Sequence, residues 1–535
     1  MIFEPSQLHF ASEFTRYIFL NPFDRRAADE LRLHLLEMDL GPSEEIAHCP
    51  SKPTSEWPGI VTLLRRVEAL LTRLQNRIRS GVVPGCYEEQ RSLEGLLIGA
   101  LFLRHFEDRQ PLREAGDGTQ RVPAYRQFAG DLRRWTDVPF KFSEFVRQPA
   151  HMFAVFFQVR RSVDLIGQLV RGNSRPVNGL RAEIWHSIFP HELQLYGSLL
   201  YDRMHDVTTL ILGQSGTGKE LVATAIGLSR YIPFDAKQER FTEPLAGAFH
   251  PVNLSAMPID LIESEMFGHC SGAFTGAVTA REGWFERCGR GHSVFLDEIG
   301  ELAPAVQVKI LRVLQSREYY RVGETEARKF AGKVIAATNR DLGEEIASGR
   351  FREDLFYRLC SDVVRTPSLR EQLVDCPADL PFLVRQIAEK CLGARAWPEQ
   401  IDWLADLAVG WIEKSPLLGP TYAWPGNFRE LEQCVRNVMV RGAYHPTKLS
   451  TSIHGSRMQS PCEPAAADNT RTALDRFIAR VRASDLTFEE ILEHYCSLVF
   501  ARSENITEAA RRLSKHRSTI QDRIKPELVD GFRFQ

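Results

Sequence analysis

The segment Gly213-Gln-Ser-Gly-Thr-Gly-Lys219 constrains this chain more than any other stretch of its sequence. It follows the apolar run TTLIL (208–212) and precedes the helical run ELVATAIGLSR. A G-x-x-x-x-G-K pattern between a strand and a helix builds a phosphate-binding loop. Gly213, Gly216 and Gly218 let the backbone curl until its N–H groups converge on phosphate oxygens. Gln214, Ser215 and Thr217 complete the loop, and Lys219 reaches for the outer phosphates from a helix N-terminus whose dipole favours anions. Glu220 stands where such loops usually carry Ser or Thr.

The surrounding residues supply the rest of a nucleotide site. Short β-rich runs alternate with helical stretches between about 185 and 365: TTLIL, HPVNL (250–254), SVFLD (293–297) and KVIAATN (333–339). Strands separated by helices imply a parallel sheet with crossover helices. SVFLD delivers Asp297, followed by Glu298, to a strand's carboxyl end, where one acid can hold Mg²⁺ and its neighbour can orient a water. KVIAATN brings Thr338 and Asn339 to the same edge, the edge at which open α/β sheets bind ligands.

The flanking regions read differently. Residues 1 to about 180 are mostly helical, with Ile60, Leu63, Leu64, Val67, Leu70, Leu71 and Leu74 at helical spacing. SLEGLLIGALFLRHF and HMFAVFFQVRRSVDLIGQLV read as buried helices. No strand ending in paired acids marks a phosphoacceptor receiver there. A helical section broken by prolines spans 366–445. The polar, Pro/Ala-rich stretch 446–470 reads as a linker, and short helices return over 471–535. A length of 535 residues suits three or four domains. Lys+Arg 67 against Asp+Glu 69 excludes a global basic field, so any nucleic-acid contact must be local. The ten cysteines form no C-x-x-C pair, which argues against a zinc module or a disulfide scaffold and fits a reducing compartment. Neither a signal-peptide pattern nor a membrane-length apolar run is visible, so a cytoplasmic location is expected.

Taken together, these motifs resemble those of bacterial enhancer-binding proteins, the AAA+ ATPases that activate sigma-54 RNA polymerase. The resemblance covers roughly 185–445, with a second match at 485–525. Its most specific element is Gly272-Ala273-Phe274-Thr275-Gly276-Ala277 within ESEMFGHCSGAFTGA; FLDEIGEL, VKILRVLQ, VIAATNRDL, FREDLFYRL and WPGNFREL follow in family order. In the family, that hexapeptide tips a loop that contacts sigma-54. The resemblance further implies that Lys219 is the phosphate lysine, and Asp297 and Glu298 the Mg²⁺ and water-activating acids. Asn253 would switch with that glutamate, while Asn339 and Arg429 would sense the nucleotide. Arg352 and Arg358 would be offered to a neighbouring subunit's nucleotide, making hydrolysis depend on a ring, expected to be a hexamer. Gln214 replaces a usual Glu, and Cys270-Ser271 replace a commoner charged pair. The N-terminal 180 residues match none of the family's common sensors.

The C-terminal stretch resembles the family's factor-for-inversion-type helix-turn-helix. Ala509, Ala510 and Leu513 form the packed face of one short helix, and Ile520 and Ile524 that of the next. Arg517, Ser518, Thr519, Gln521, Asp522 and Lys525 are left for the DNA groove. Basic residues at 511, 512, 515, 517, 523 and 525 are available to phosphates. The expected architecture is therefore a helical N-terminal region of unknown type (1–180), an AAA+ parallel-sheet core (185–365) with a helical lid (366–445), a linker and a DNA-binding domain. The expected activity is ATP-driven remodelling of the sigma-54 closed complex by an activator bound to upstream double-stranded DNA. An AAA+ remodeller of other proteins is the alternative, set aside because it needs neither the hexapeptide nor a DNA module. A DNA-binding repressor with a dead ATPase is opposed by the intact Lys219, Asp297, Glu298, Arg352 and Arg358.

Overall fold

The computed structural model describes residues 1–38, 59–275, 277–393, 395–415, 418, 422–446, 488–503, 505–513, 515–521, 523–525 and 529. Two compact units, Met1–Thr447 and Lys448–Gln535, divide the chain. Most of the expected linker, from 447 to 470, lies outside the described residues.

The first unit is built on a five-stranded sheet: β1 (Thr209–Leu212), β2 (Phe249–Asn253), β3 (Ser293–Asp297), β4 (Lys333–Thr338) and β5 (Asp362–Arg365), in the order β2-β3-β4-β1-β5. Every pairing is parallel. Parallel strands are covered on both faces, which is why every residue of β4 is buried and why β1 and β3 are almost wholly apolar. The register sets Leu212 beside Thr338 and Asn253 beside Asp297, so the strand ends form one edge. The sequence reading located four of the five strands and did not anticipate β5.

Every element described between residues 1 and 188 is a helix, and all seven apolar positions singled out at 60–74 are buried on the helix Ile60–Arg79. The two more apolar runs form the helices Tyr87–Phe106 and Pro149–Leu169, whose Phe102, Phe106, Phe153 and Phe156 pack ring against ring with Phe128 of the helix Ala124–Thr136. The hydrophobic cluster does not stop at the sheet. It continues from these helices into Ile211, Val222, Ile226, Phe295, Ile335 and Val364, and the helix Arg175–Ile188 runs straight through position 185.

The helical section that follows the sheet, expected to be the lid, has its own core. Leu404, Ala408, Leu431 and Val435 are fully buried where the helices Asp379–Leu392, Pro398–Lys414 and Asn427–Arg441 meet. In the second unit the helices Phe488–Ala501, Ile506–Arg512 and Arg517–Gln521 close on Cys496, Ala510 and Ile520, with Leu513 and Ile524 packed against them. Among the described residues no helix is long and apolar enough to cross a membrane.

Candidate functional site

The loop between β1 and the helix Lys219–Leu228 folds into a cradle. Gly216 and Gly218 adopt φ of +79° and +91°, conformations open to glycine, and a Cβ on Gly216 would come within 2.3 Å of the Gly426 carbonyl oxygen. Lys219 opens the helix and is only 7% exposed; its Nζ donates to the Gly213 and Gln214 carbonyls at 3.0 and 3.3 Å. Burial holds its pKa below the usual lysine value, against the opposing pull of Glu298 and Asp297. Thr217 Oγ1 sits 2.7 Å from Thr366 Oγ1 and donates to the Gln214 carbonyl at 2.8 Å, pinning the loop to the strand end. Glu220 is exposed in the helix's first turn.

The acids stand beside this cradle. Asp297 ends β3, and Glu298 follows in the left-handed region at φ +57°, a conformation that costs a non-glycine residue on the order of 1–3 kcal/mol and clusters at functional sites. Glu298 Oε2 accepts the backbone N–H of Asn339 at 3.2 Å, and Asp297 Oδ1 accepts that of Glu298 at 3.1 Å. Asn253 lies across from Asp297 in the sheet. Its side-chain oxygen, however, accepts from Ser255 N (3.0 Å), Ser255 Oγ (2.8 Å) and Ala256 N (3.3 Å), capping the short turn Leu254–Ala256 rather than meeting Glu298.

The lid reaches the loop through residues the sequence reading had only partly identified. Arg429 Nη1 donates to Ser215 Oγ at 2.9 Å, as suits a residue near the phosphates. Asn427, which the sequence reading missed, is fully buried: its Nδ2 donates to Ser215 O at 3.0 Å and Gln214 Oε1 at 3.2 Å, and its Oδ1 accepts from Leu369 N at 2.9 Å. Phe428 N donates to Gly216 O at 3.0 Å. Between loop, lid and the helix Arg175–Ile188 lies a cleft of about 680 Å³ lined by Thr217, Gly218, Leu221, Val177 and Leu180. Two amides in its lining, Gln372 Oε1 and Gln386 Nε2, are buried without partners. An unmet acceptor and an unmet donor beside apolar walls, adjoining a glycine cradle, fit a nucleotide with its base in the cleft. Among the described residues no group of three or more His, Cys, Asp or Glu is placed to hold a metal by itself; the donor set at Asp297 and Glu298 suits an ion shared with phosphates and water.

Two arginines stand apart. Arg352 is exposed and forked onto Asp354 (Nε–Oδ1 3.0 Å, Nη2–Oδ2 2.7 Å), and Arg358 is exposed on the helix Glu353–Leu359. Among the described hydrogen bonds and ion pairs, none joins either of them to the phosphate loop of their own chain.

The hexapeptide forms a projecting turn. Gly272 has φ +79°, its N–H donates to Ala277 O at 2.8 Å, and Ala277 N donates back to Phe274 O at 3.0 Å. Ala273 N bonds to Cys270 O, Thr275 is exposed, and Gly276 lies outside the described residues. Phe274 is 40% exposed, its ring set T-shaped to that of His269 with centroids 5.0 Å apart, and Val278 beyond it is 82% exposed. His269 anchors the turn's base: its Nδ1 lies 2.7 Å from Ser264 Oγ, and its backbone pairs with Arg281.

In the second unit the packed face is the one read from sequence, with Ala509, Ala510 and Ile520 buried. Asn505 caps the helix Ile506–Arg512 by accepting from Glu508 N at 3.0 Å. Arg517, Ser518, Thr519, Gln521 and Lys525 are exposed, and Asp522 lies outside the described residues. Within the basic group, Arg512 pairs with Glu508 at 2.6 Å and Lys525 with Glu493 at 3.2 Å.

The sequence model of the Sigma-54 interaction domain matches residues 198–364. Among curated relatives, the Nif-specific regulatory protein of Azotobacter vinelandii is 40% identical over 51% of this chain and 48% of its own. The transcriptional regulatory protein ZraR of Klebsiella oxytoca is 36% identical over 59% of this chain and 62% of its own. The DNA-binding transcriptional regulator NtrC of Rhizobium meliloti is 34% identical over 64% of this chain and 69% of its own. The chain thus spans about half the length of the first of these relatives and just over two thirds of the last.

Proposed function

Because this chain belongs to the family of sigma-54-dependent enhancer-binding activators, we propose that it binds upstream double-stranded DNA, assembles into a ring and uses ATP hydrolysis to remodel the sigma-54 RNA polymerase closed complex. The observation that carries this reading is the separation of two features. An exposed aromatic turn at Gly272–Ala277 stands on its own anchor at His269, while Lys219, Asp297, Glu298 and Arg429 gather around the phosphate loop.

In this reading residues 213–220 and the helix they open bind the phosphates, with Lys219 leaving its two carbonyls to meet them. Asp297 would hold Mg²⁺, which when bound neutralises phosphate charge. Glu298, oriented by the Asn339 N–H, takes the proton from an attacking water. Asn253 would switch with Glu298 by releasing its bonds to Ser255 and Ala256, and Arg429 reports the phosphate state to the lid. Arg352 and Arg358 face outward and serve a neighbouring subunit, in a ring we take to be a hexamer. Arg517, Ser518, Thr519, Gln521, Asp522 and Lys525 present the groove-facing surface of the helix-turn-helix. Residues 1–180 regulate the motor, 185–365 and 366–445 are its core and lid, 446–470 link, and 471–535 bind DNA.

The tip tests this. Phe274→Ala and Thr275→Ala chains should retain DNA binding and substantial ATPase activity. They should also fail to bind sigma-54 with a transition-state nucleotide analogue and fail to open promoters. A tip variant that activates sigma-54 transcription normally would return the chain to the broader class of AAA+ remodellers.

A further inference from the structure

The segment that carries Arg352 is held from behind by one buried amide. Gln307, on the helix Pro304–Ser316, is fully buried and uses its whole side chain on backbone groups. Its Nε2 donates to Leu302 O at 2.8 Å and to Arg350 O at 2.9 Å, and its Oε1 accepts from Arg352 N at 2.9 Å. Leu302 lies directly after the turn Ile299–Glu301, which follows Glu298. A single side chain therefore joins this acid turn to the peptides on either side of Phe351, which is itself buried.

Charges make the same connection a second time. Arg340, next to Asn339, donates to Glu301 at the end of the acid turn, and its Nη1 lies 3.6 Å from Glu345 Oε2. Glu345 in turn is forked by Arg350, with Nε–Oε2 at 2.7 Å and Nη2–Oε1 at 2.9 Å. That fork holds the Glu345 carboxyl below its usual range, so it stays charged at neutral pH. Glu301, Arg340, Glu345 and Arg350 thus alternate in sign from the acid turn to the residue two before Arg352.

Neither link touches the Arg352 guanidinium, which is exposed and forked onto Asp354. What they fix is the direction in which that side chain leaves the backbone. Arg352 is the extended N-cap of the helix Glu353–Leu359 (φ −83°, ψ 132°), and its N–H is the one that Gln307 holds. A buried amide with both donors and its acceptor met in a close-packed interior has no slack, so a shift of the acid turn passes to the Arg352 backbone. Among the described hydrogen bonds none joins Gln307 to Lys219, Asp297 or Glu298 of its own chain.

We propose that Gln307 is a positioning residue for Arg352, supported by Glu345, and that through them the acid turn of one subunit sets the aim of the arginine offered to the next. This rests on the reading of Arg352 as an arginine supplied to a neighbouring subunit's nucleotide. Its consequence is specific: a chain without Gln307 keeps its own acid and phosphate loop intact and fails its neighbour.

Turnover in mixtures of full-length chains, with nucleotide affinity measured beside it, tests this. Gln307→Leu alone should lower kcat by on the order of tenfold to a hundredfold, the scale of a misplaced catalytic group, while affinity for a fluorescent ATP analogue holds. Mixed with Glu298→Gln chains, which keep Gln307 and Arg352, turnover per Gln307→Leu chain should recover, because its intact acid then meets a correctly aimed arginine. A site damaged within its own chain gains nothing from such a neighbour. Should Gln307→Leu fail to fold, Glu345→Gln, which keeps the side chain's shape and leaves the Gln307 bonds in place, carries the same expectation. Arg352→Ala, mixed in the same way, separates the aim of the arginine from its sharing. If Arg352→Ala recovers and the folded Gln307→Leu or Glu345→Gln chains do not, the positioning role is overturned and the shared arginine stands. If Arg352→Ala does not recover, the shared arginine falls and the positioning role falls with it. Undiminished turnover by the folded variants alone also overturns the role.

Discussion

Glu298 and Asn339 are joined by a single hydrogen bond, Asn339 N to Glu298 Oε2 at 3.2 Å, across the adjacent strands β3 and β4. It ties the acid that follows β3 to the backbone that follows β4. The donor is the Asn339 backbone, so a change of the Asn339 side chain leaves this bond in place, whereas removing the Glu298 carboxylate breaks it.

Lys219→Ala should lose nucleotide binding, because the phosphates then lack their counter-charge. Glu298→Gln, which keeps the side chain's shape but cannot take up a proton, should bind ATP and fail to turn it over. Equilibrium binding with a fluorescent ATP analogue and phosphate release measure the two separately. Normal turnover by Glu298→Gln would remove it from the chemistry.

Arg352 is engaged by Asp354 in the single chain, and Arg358 is exposed. Arg352→Ala and Arg358→Ala chains should each be poorly active alone. Mixed with Glu298→Gln chains, which keep both arginines, they should show turnover that depends on composition. Activity strictly additive over mixing ratios counts against sites shared between subunits.

Asn427 is buried and bonds Leu369 in the lid and Ser215 in the phosphate loop. Asn427→Ala leaves those groups unmet, at a cost on the order of 1–3 kcal/mol for a buried polar partner. Urea denaturation should show the loss, and the KM for ATP should rise because the lid no longer holds the loop. Unchanged stability together with an unchanged KM would make the contact incidental.

Arg517→Ala should cost on the order of 1–3 kcal/mol in DNA binding and relax specificity at one base position, provided the guanidinium reads a base edge. Titrations against a panel of single-base variants distinguish this from a phosphate contact, which would weaken all sequences equally.

Lys333 carries a pH signature. Burial brings its pKa down to about 8 in the folded chain, against about 10.4 when unfolded. Between those values the unfolded chain binds more protons, so stability rises with pH. The stability of the parent chain relative to Lys333→Met should therefore grow from about pH 8 to about pH 10.4. A flat difference in paired denaturation curves would mean that Lys333 is not desolvated.

What was legible in sequence follows from which features are local. β1, β3 and β4 could be read because strands buried on both faces must be almost uniformly apolar. β5, with Asp362 and Arg365 at its two ends, carries no such run. Ala509, Ala510 and Ile520, buried as expected, were legible through the resemblance to a factor-for-inversion-type helix-turn-helix. Asn427 was not, because its partner Ser215 is 212 residues away and nothing in WPGNFREL marks the contact beyond an asparagine after glycine. For Asn253 sequence gave the position but not the partner: the register puts it beside Asp297, while the nearer backbone N–H groups of Ser255 and Ala256 claim its oxygen.

The hydrophobic cluster that passes from the first helices into Ile211, Phe295 and Ile335 limits how this protein can be rearranged. A regulator whose input module hangs on a tether can exchange that module by recombination at the tether. Here a cut at residue 185 would split a helix and strip the cover from one face of the sheet. An exchanged front half would have to arrive with a matching apolar surface, so the two halves of this unit are bound to change together rather than be traded separately.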